Sequence, residues 1–259
     1  MFRRTFGLVL FLGVFGALLP RGASAQNTTS GGAHSFMPGG YAAEDYFDNG
    51  THTERWYHFS STVGRSYCAE TQGGVAFDDS TDSLIDTVLT IYEGNATTVI
   101  TINDDAIGLE PAGFVLSRAC WVAPGSGAEY IKVTPHTAGQ SFNFRLKLVE
   151  TTLYSNWFYV GGDYGAYALL RNTTKVTVNY TINWRNAAGT ILATITSTLP
   201  GNGSVFKNAR DLPAAVSAGS GTVEIVHDGS AGAIMATSTI LSVSTGLSFD
   251  TFFLARPPI

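Results

Sequence analysis

The sequence predicts an all-β protein of two antiparallel β-sandwich domains, jelly-roll-like in the N-terminal half and immunoglobulin-like in the C-terminal half. Several short segments alternate apolar and polar residues with a period of two, the pattern of a strand with one buried face. These segments recur about every 8–12 residues and are separated by polar turns. No segment shows convincing helical periodicity of normal length.

Composition agrees with this fold class and excludes others. The 259 residues include 29 Gly, which suits tight turns between short strands. Hydrophobic residues make up 44% of the chain and charged residues only 14%, against about 25% charged residues in a typical domain. These values exclude an intrinsically disordered chain, a coiled coil and a nucleic-acid binder with a basic surface.

Residues 1–25 are predicted to be a secretory signal peptide. Arg3 and Arg4 form a basic start, residues 8–19 are apolar, and residues 23–25 read Ala-Ser-Ala, a small-residue cleavage site. Both the general secretory and the twin-arginine export routes stay open. We therefore expect a secreted protein, periplasmic or extracellular, and association with the cell surface stays open.

The predicted mature chain is acidic and has no integral membrane segment. Removal of residues 1–25 leaves 12 Lys and Arg against 20 Asp and Glu, a formal net charge of −8. This charge argues against nucleic acid and anionic lipid surfaces as partners. No later stretch reaches about 18 consecutive apolar residues.

Residues 26–42 are rich in Gly, Ser and Thr and are predicted to be a flexible leader. The first sandwich is predicted over residues 43–152. Its clearest strand is 142–148, where strict alternation places Phe142, Phe144, Leu146 and Leu148 on one buried face. Further strands are predicted at residues 56–59, 86–92 and 130–133.

The second sandwich is predicted over residues 153–259. Residues 176–184 alternate over nine positions, and a turn at 186–189 returns the chain through a partner strand at 190–199. Because such long strands create sheet edges, pairing with other copies is one possible use of this half. The remaining strands are predicted at residues 222–227 and 233–243.

Five segments in the first half carry a family resemblance. They are Tyr57-x-Phe59 followed by Cys68, the aspartate-led strand 85–94, the loop 103–105, the glycine turn and strand 125–133, and the closing Phe142-x-Phe144-x-Leu146. In this order they resemble the bacterial pre-peptidase C-terminal domain, a secreted β-sandwich module. The resemblance covers about residues 43–150. Such modules often follow a secreted hydrolase, whereas no catalytic domain precedes this one in the sequence.

Cys68 and Cys120 are predicted to form a disulfide. They are the two cysteines of the chain, and the signal peptide predicts an oxidising compartment. The alternative is a pair of buried free thiols, because sequence does not give the distance between their Cα atoms.

An acidic region in the first half is a candidate calcium site. Residues 76–110 contain eight Asp and Glu and no Lys or Arg. Oxygen ligands on turns suit Ca²⁺, and the family resemblance implies that Asp86 and the loop Asn103, Asp104 and Asp105 converge on neighbouring strands. The alternative is that these side chains cap turns through their own backbone.

Aromatic residues cluster where the two predicted sandwiches meet. Trp157, Tyr159 and Tyr164 are candidate ligand contacts, because exposed Tyr and Trp stack on sugar rings or anchor protein partners. The alternative is that Trp157, Tyr159 and Tyr167 fill the second core or the seam between the sandwiches.

The sequence contains none of the catalytic motifs searched for. It has no G-x-S-x-G segment, no H-E-x-x-H segment and no glycine-rich phosphate loop. We therefore expect a non-catalytic binding or adhesion protein of the cell exterior, its partner an extracellular polysaccharide or protein. A self-assembling surface or filament subunit and an accessory protein of a secreted hydrolase system are the alternatives.

Overall fold

The computed structural model describes residues 27–40, 44–48, 52–73, 85–106 and 114–256, and the predicted signal peptide lies outside them. The fold is all-β, as predicted, with two successive β-sandwiches. The N-terminal strands are β1 (His34–Ser35), β2 (Asp45–Phe47), β3 (Arg55–Ser61), β4 (Ser66–Gly73), β5 (Ile85–Tyr92), β6 (Val99–Asn103), β7 (Phe114–Val115), β8 (Arg118–Val122), β9 (Gly127–Pro135) and β10 (Phe142–Glu150). The C-terminal strands are β11 (Leu153–Tyr159), β12 (Tyr164–Asn172), β13 (Val178–Arg185), β14 (Ile191–Leu199), β15 (Ser204–Asn208), β16 (Ser220–His227), β17 (Ile234–Ser242), β18 (Ser248–Phe252) and β19 (Leu254–Ala255).

The first sandwich consists of two sheets. Sheet I has the strand order β1-β3-β9-β5-β6, with β7 paired to β5, and sheet II has the order β2-β10-β4-β8. The alternation in β10 has the predicted result, since Phe142, Phe144, Leu146 and Leu148 are all buried in the core between these sheets. Tyr57, Phe59 and Trp121 pack into the same core.

The predicted disulfide is present and joins two neighbouring strands of sheet II. Cys68 in β4 lies directly opposite Cys120 in β8, with their Cα atoms 4.0 Å apart. This finding excludes the alternative of two free thiols. The bridge ties together residues 52 positions apart, and the chain-entropy model gives such a loop on the order of 4 kcal/mol of stability.

The second sandwich has a separate core. Sheet III has the strand order β14-β13-β16-β11-β19, and sheet IV has the order β15-β12-β17-β18. Val178, Tyr180, Ile182 and Trp184 alternate along β13 and all face the core. Because β13 pairs with both β14 and β16, it is an interior strand, and the sheet edge expected beside it belongs to β14.

Helical structure is minor within the described residues. The single α-helix there, α1 (Ala214–Ser217), has four residues, and short 3-10 turns occur at Ser30–Gly32 and Ala209–Asp211. None of these helices is long and apolar enough to cross a membrane.

The segment predicted as a flexible leader contains a 3-10 turn and a short strand within residues 27–40. Strand β1 pairs in parallel with β3, placing His34 beside Tyr57. Asn27 is buried and its carbonyl accepts a hydrogen bond from the Trp56 N–H at 2.6 Å. The composition of this segment gave no sign of these contacts, because its backbone is held by pairing with a distant strand.

Two buried threonines connect the sandwiches. Thr151 and Thr152 lie between β10 and β11. The Ser66 N–H donates to Thr152 Oγ1 at 2.8 Å, and the Thr151 N–H donates to the Ser66 carbonyl at 2.8 Å. Beside them, Glu150 accepts a hydrogen bond from the Tyr154 hydroxyl at 2.6 Å. The connection is thus a bonded seam between the two halves.

Candidate binding face and cation cluster

The aromatic candidates lie on β11, where a β-bulge changes which residues face the core. The pairing of β11 with β16 shifts register between Ser155 and Phe158. A bulge adds one residue to a strand and re-aims the side chains beyond it. As a result Phe158 is completely buried, while Trp157 is 44% exposed and Tyr159 is 38% exposed. The core-filling interpretation is therefore wrong for Trp157 and Tyr159.

Two exposed rings of β11 in sheet III and one half-buried ring of β12 in sheet IV form a small aromatic platform, defined as Trp157, Tyr159 and Tyr164. The rings of Trp157 and Tyr159 are nearly parallel, with centroids 6.2 Å apart and an interplanar angle of 20°. The half-buried Tyr164 meets Tyr159 edge-on at 6.1 Å. A Cβ at Gly161 would lie 2.5 Å from the Tyr159 hydroxyl, so the glycine leaves room for this ring. All three predicted ligand contacts therefore come together.

Polar side chains share the outer face of sheet III with the platform. Arg185 Nε donates to Glu224 Oε2 at 3.1 Å, and Asn183 Nδ2 donates to Glu224 Oε1 at 3.3 Å. Thr194 donates to Asn183 Oδ1 at 2.9 Å. Residues that alternate with them on the same strands fill the core, so these groups lie on the opposite face, where Asn183 and Glu224 are buried and Arg185 is half-buried. Hydrogen-bonding groups beside flat apolar rings suit a ligand with hydroxyls around an apolar face.

Tyr167, the third residue in the core-filling interpretation, lies elsewhere. It is half-buried on β12 in sheet IV and stacks on Phe206 with ring centroids 5.7 Å apart. Trp121 and Trp184 are buried in the first and second cores, respectively.

Three titratable side chains meet in the first sandwich and form what we term the cation cluster. It contains Asp86 in β5, Asp104 after β6 and His136 after β9, and their ligand atoms lie within 4.8 Å of one another. His136 Nδ1 is 2.9 Å from Asp104 Oδ1. The backbone N–H of His136 donates to the backbone carbonyl of Asp86 at 3.0 Å, which holds the segment after β9 against β5.

The cluster contains two carboxylates and one imidazole, and the pKa values of Asp86 and His136 are both raised. The pKa of Asp86 is raised by burial, with further contributions from the charges of Asp104 and Asp105, while His136 opposes the shift. The pKa of His136 is raised by its hydrogen bond to Asp104 and by the charge of Asp86. Asp86 Oδ1 is buried and has no hydrogen-bond partner among the described residues. An orphaned carboxylate oxygen beside an aspartate and an imidazole fits a bound cation.

Two of the four predicted calcium ligands lie outside this cluster. Asn103 Oδ1 accepts from the Arg118 N–H at 2.9 Å, and its amide donates to the Asp105 carbonyl at 3.2 Å, so Asn103 has the turn-capping role named as the alternative. Asp105 contributes no ligand atom to the cluster. Other acidic residues of the 76–110 region, Asp78, Asp79, Asp82 and Glu110, lie outside the described residues.

His136 was missed in the sequence, because it lies 32 residues after Asp104 and shows no metal-ligand spacing with another histidine. Its presence changes which metal the cluster suits. Calcium takes oxygen ligands, whereas zinc binds imidazole nitrogen together with carboxylates. The donor set fits zinc better than the calcium that the sequence predicts.

A groove with a volume of about 580 Å³ runs along the seam between the sandwiches. Phe36, Met37 and Val149 contribute apolar surface, and Arg65 and Arg256 contribute positive charge. Arg65 is engaged by Glu150 at 3.5 Å. The groove is a concave surface, and its volume is within the range of ordinary small-molecule sites.

Comparisons with known proteins show only weak likeness in fold. No protein-family model matches the sequence, and no curated protein matches it. The full extracellular region of zebrafish Gpr126/Adgrg6 is 10% identical and has a TM-score of 0.23, over 87% of this chain and 30% of that one. A β-glucuronidase from glycoside hydrolase family 2 is 9% identical with a TM-score of 0.22, over 80% and 24% of the two chains. A Bacteroides uniformis β-glucuronidase is 10% identical with a TM-score of 0.21, over 78% and 26%.

This chain thus spans about a third or less of each of these proteins. The low TM-scores carry no argument about function, and the pre-peptidase C-terminal resemblance stays a prediction.

Proposed function

We propose that this protein is a secreted, non-catalytic module that binds an extracellular polysaccharide through the outer face of sheet III. The observation that carries this proposal is the exposed, nearly parallel pair of rings at Trp157 and Tyr159. Single exposed apolar side chains are common on protein surfaces, whereas a contiguous pair of Trp and Tyr rings is a feature of interaction sites.

Sugar chemistry explains the composition of the face. A pyranose ring has an apolar surface of C–H groups that stacks on an aromatic ring, and hydroxyls around its edge that need hydrogen-bond partners. The platform offers the rings, and the half-buried Arg185, held by the buried Glu224, offers hydrogen-bond donors on the same face. The predicted signal peptide and the resemblance to a secreted module support the same cellular location.

Binding to insoluble polysaccharides tests the proposal. The protein is incubated with cellulose, chitin, xylan and peptidoglycan, and its depletion from solution is measured. We expect at least one of these to retain the protein, with Trp157→Ala and Tyr159→Ala each weakening retention about tenfold or more, because rigid aromatic anchors dominate interface energy.

Phe249→Ala is the matched control, since Phe249 is an aromatic residue of β18 in the other sheet and is 48% exposed, close to the 44% of Trp157. We expect this variant to bind as the unmodified protein does. Failure of the unmodified protein to bind any glycan, or full retention of Trp157→Ala, would contradict the proposal. Binding to collagen or another extracellular protein instead would replace the polysaccharide by a protein partner.

A further inference from the structure

The free edge of sheet III differs from the other sheet edges of the described chain. The terminal strands of the four sheets are β1 and β6, β2 and β8, β14 and β19, and β15 and β18. β14 has nine residues, whereas each of the other seven has five or fewer. An edge of this length exposes a long row of backbone donors and acceptors.

β14 also lacks charge and proline, two of the features that keep sheet edges from pairing, although a bulge lies near its start and α1 lies against it. Natural edges are protected by charged side chains, proline or short length. Four other edge strands carry a charged residue: Asp45 in β2, Arg118 in β8, Lys207 in β15 and Asp250 in β18. β14 reads Ile-Leu-Ala-Thr-Ile-Thr-Ser-Thr-Leu, with no charge and no proline. Residues 193–199, beyond the bulge, thus form a regular edge segment without charge or proline.

The backbone of β14 is engaged on one side only. β14 pairs with β13 through residues 191–199. Helix α1 lies against β14, but its N–H groups donate to residues 213–216, within its own turn. No other described strand donates to or accepts from the β14 backbone. Its outward peptide groups are thus available for a further strand.

We propose that two copies of this protein associate by antiparallel pairing of their β14 strands, which joins the two copies of sheet III into one continuous sheet. A second copy is the fitting occupant because an antiparallel pair across a twofold axis makes the same strand its own partner. With the axis beside Ile195, Thr194 lies opposite Thr196 of the partner subunit, a pairing favourable in sheets.

Charge favours the same contact. The chain has a formal net charge of −5, so two copies repel each other over most of their surfaces. The exposed side chains on the outer face of β14 are Thr194, Thr196 and Thr198, all neutral. Because these side chains are uncharged, contact along β14 causes no charge repulsion between them.

Edge pairing would place two aromatic platforms on the same side of one sheet, because a twofold axis that joins sheets edge to edge is perpendicular to them. Seven strand intervals separate β11 from β11 of the partner subunit, which at about 4.8 Å each gives about 34 Å. Binding of one polysaccharide chain by both platforms would then be bivalent. This consequence rests on the proposed function, whereas the pairing itself does not.

Light scattering after size-exclusion chromatography tests the pairing, with the chain of residues 26–259 and no glycan present. Over a concentration series up to about 1 mM, we expect the mass of two chains. The double variant Thr194→Lys with Thr196→Lys should weaken the dimer at least about tenfold, because lysines on both strands then face each other. Ser248→Lys on edge strand β18 is the control and should leave the dimer unchanged.

A charge-swap experiment separates loss of pairing from loss of folding. The double variant Thr194→Glu with Thr196→Glu should also be monomeric alone, and an equal mixture of the lysine and glutamate variants should restore the dimer. A monomeric unmodified protein at all concentrations would overturn the proposal. So would a dimer that the lysine variant leaves intact, or a mixture that fails to associate. None of these results depends on glycan binding.

Discussion

Asp86 has surroundings that call for a positive charge. Burial and the neighbouring carboxylates raise its pKa, and its buried Oδ1 accepts no hydrogen bond from the described residues. Leaving a buried acceptor without a partner costs about 1–3 kcal/mol. A cation held by Asp86, Asp104 and His136 would remove this cost and connect the loops that follow β6 and β9.

We therefore expect zinc to stabilise the protein. At a metal concentration about a hundredfold above Kd, the melting temperature should rise by about 5–10 °C, and calcium should give a smaller rise because it disfavours imidazole ligands. Differential scanning calorimetry after treatment with a chelator, with and without each metal, measures both effects. His136→Gln and Asp104→Asn should each abolish the zinc effect.

Asp250→Asn, at an exposed carboxylate on β18, is the control and should leave the zinc effect unchanged. An unchanged melting temperature in zinc, or an equal shift in the His136→Gln protein, would show that these side chains only bond to each other.

The cation cluster also shows what sequence predicts at the level of single residues. Uncompensated acidic charge singled out residues 76–110, and the family resemblance implied that Asp86 and Asp104 converge within that region. His136 was not found, because its position beside Asp104 depends on β9 lying next to β5 in sheet I. A pairing between distant strands leaves no local pattern.

Among the elements, β11 shows how one inserted residue changes the use of a strand. Regular alternation from Leu153 would place residues 155, 157 and 159 on the core side. The bulge reverses this parity, so Phe158 packs edge-on against Trp184 at 5.0 Å while Trp157 faces outward. The aromatic platform exists because of this reversal.

Gly221 holds the strand opposite the bulge. It pairs with Phe158, and a Cβ at this position would lie 1.8 Å from the Arg185 carbonyl oxygen. We expect Gly221→Ala to lower the free energy of unfolding by about 2–3 kcal/mol, because the clash is with backbone and forces β16 away from β13. Chemical denaturation measures the loss, and glycan retention should fall with it as the platform shifts.

Gly125→Ala is the matched control, since a Cβ at Gly125 would meet no atom within 4 Å. Its unfolding free energy should change by less than about 0.5 kcal/mol. Equal stability of the two variants would mean that β16 and β13 separate at Gly221 without a cost in free energy. The bulge in β11 would then not depend on the close approach of Gly221 to the Arg185 carbonyl.

Strand prediction succeeded where alternation is unbroken and failed where it is interrupted. In β10 and β13 the pattern alone identified which side chains are buried. In β11 the same rule gives the wrong face, because a bulge depends on how β16 lies against it and has no marker in the local sequence. The pairing of β1 with β3 was missed for a related reason, since only two residues of β1 take part.

At the scale of the whole molecule, contacts at the seam couple the unfolding of one sandwich to that of the other. Ser66 of the first sandwich bonds to Thr151 and Thr152, and Arg65 lies 5.8 Å from the ring of Tyr154 in the second. His227, at the end of β16, is buried next to the backbone of Thr151. A charge appearing on His227 would therefore act at the junction of both halves.

Acid should destabilise the protein through His227. Burial lowers its pKa from the ordinary value of 6.5 to about 4, partly opposed by the charge of Asp228. Between pH 6.5 and about pH 4, His227 binds a proton in the unfolded chain but not in the folded chain. The contribution of neutral His227 to the free energy of unfolding is therefore fully present above pH 6.5 and is lost as pH falls to about 4. The shift corresponds to about 3 kcal/mol.

His227→Gln removes this titration, so its unfolding free energy should depend less on pH than that of the unmodified protein. Denaturant unfolding at several values between pH 7.5 and pH 4 should show the two proteins converging by about 3 kcal/mol as the buffer is acidified. His58→Gln, at a half-buried histidine of β3 in the first sandwich, is the matched control for the loss of a histidine side chain. Parallel curves for the His227→Gln and unmodified proteins would show that the seam tolerates a charged imidazole, and the acid sensitivity would then belong to other groups.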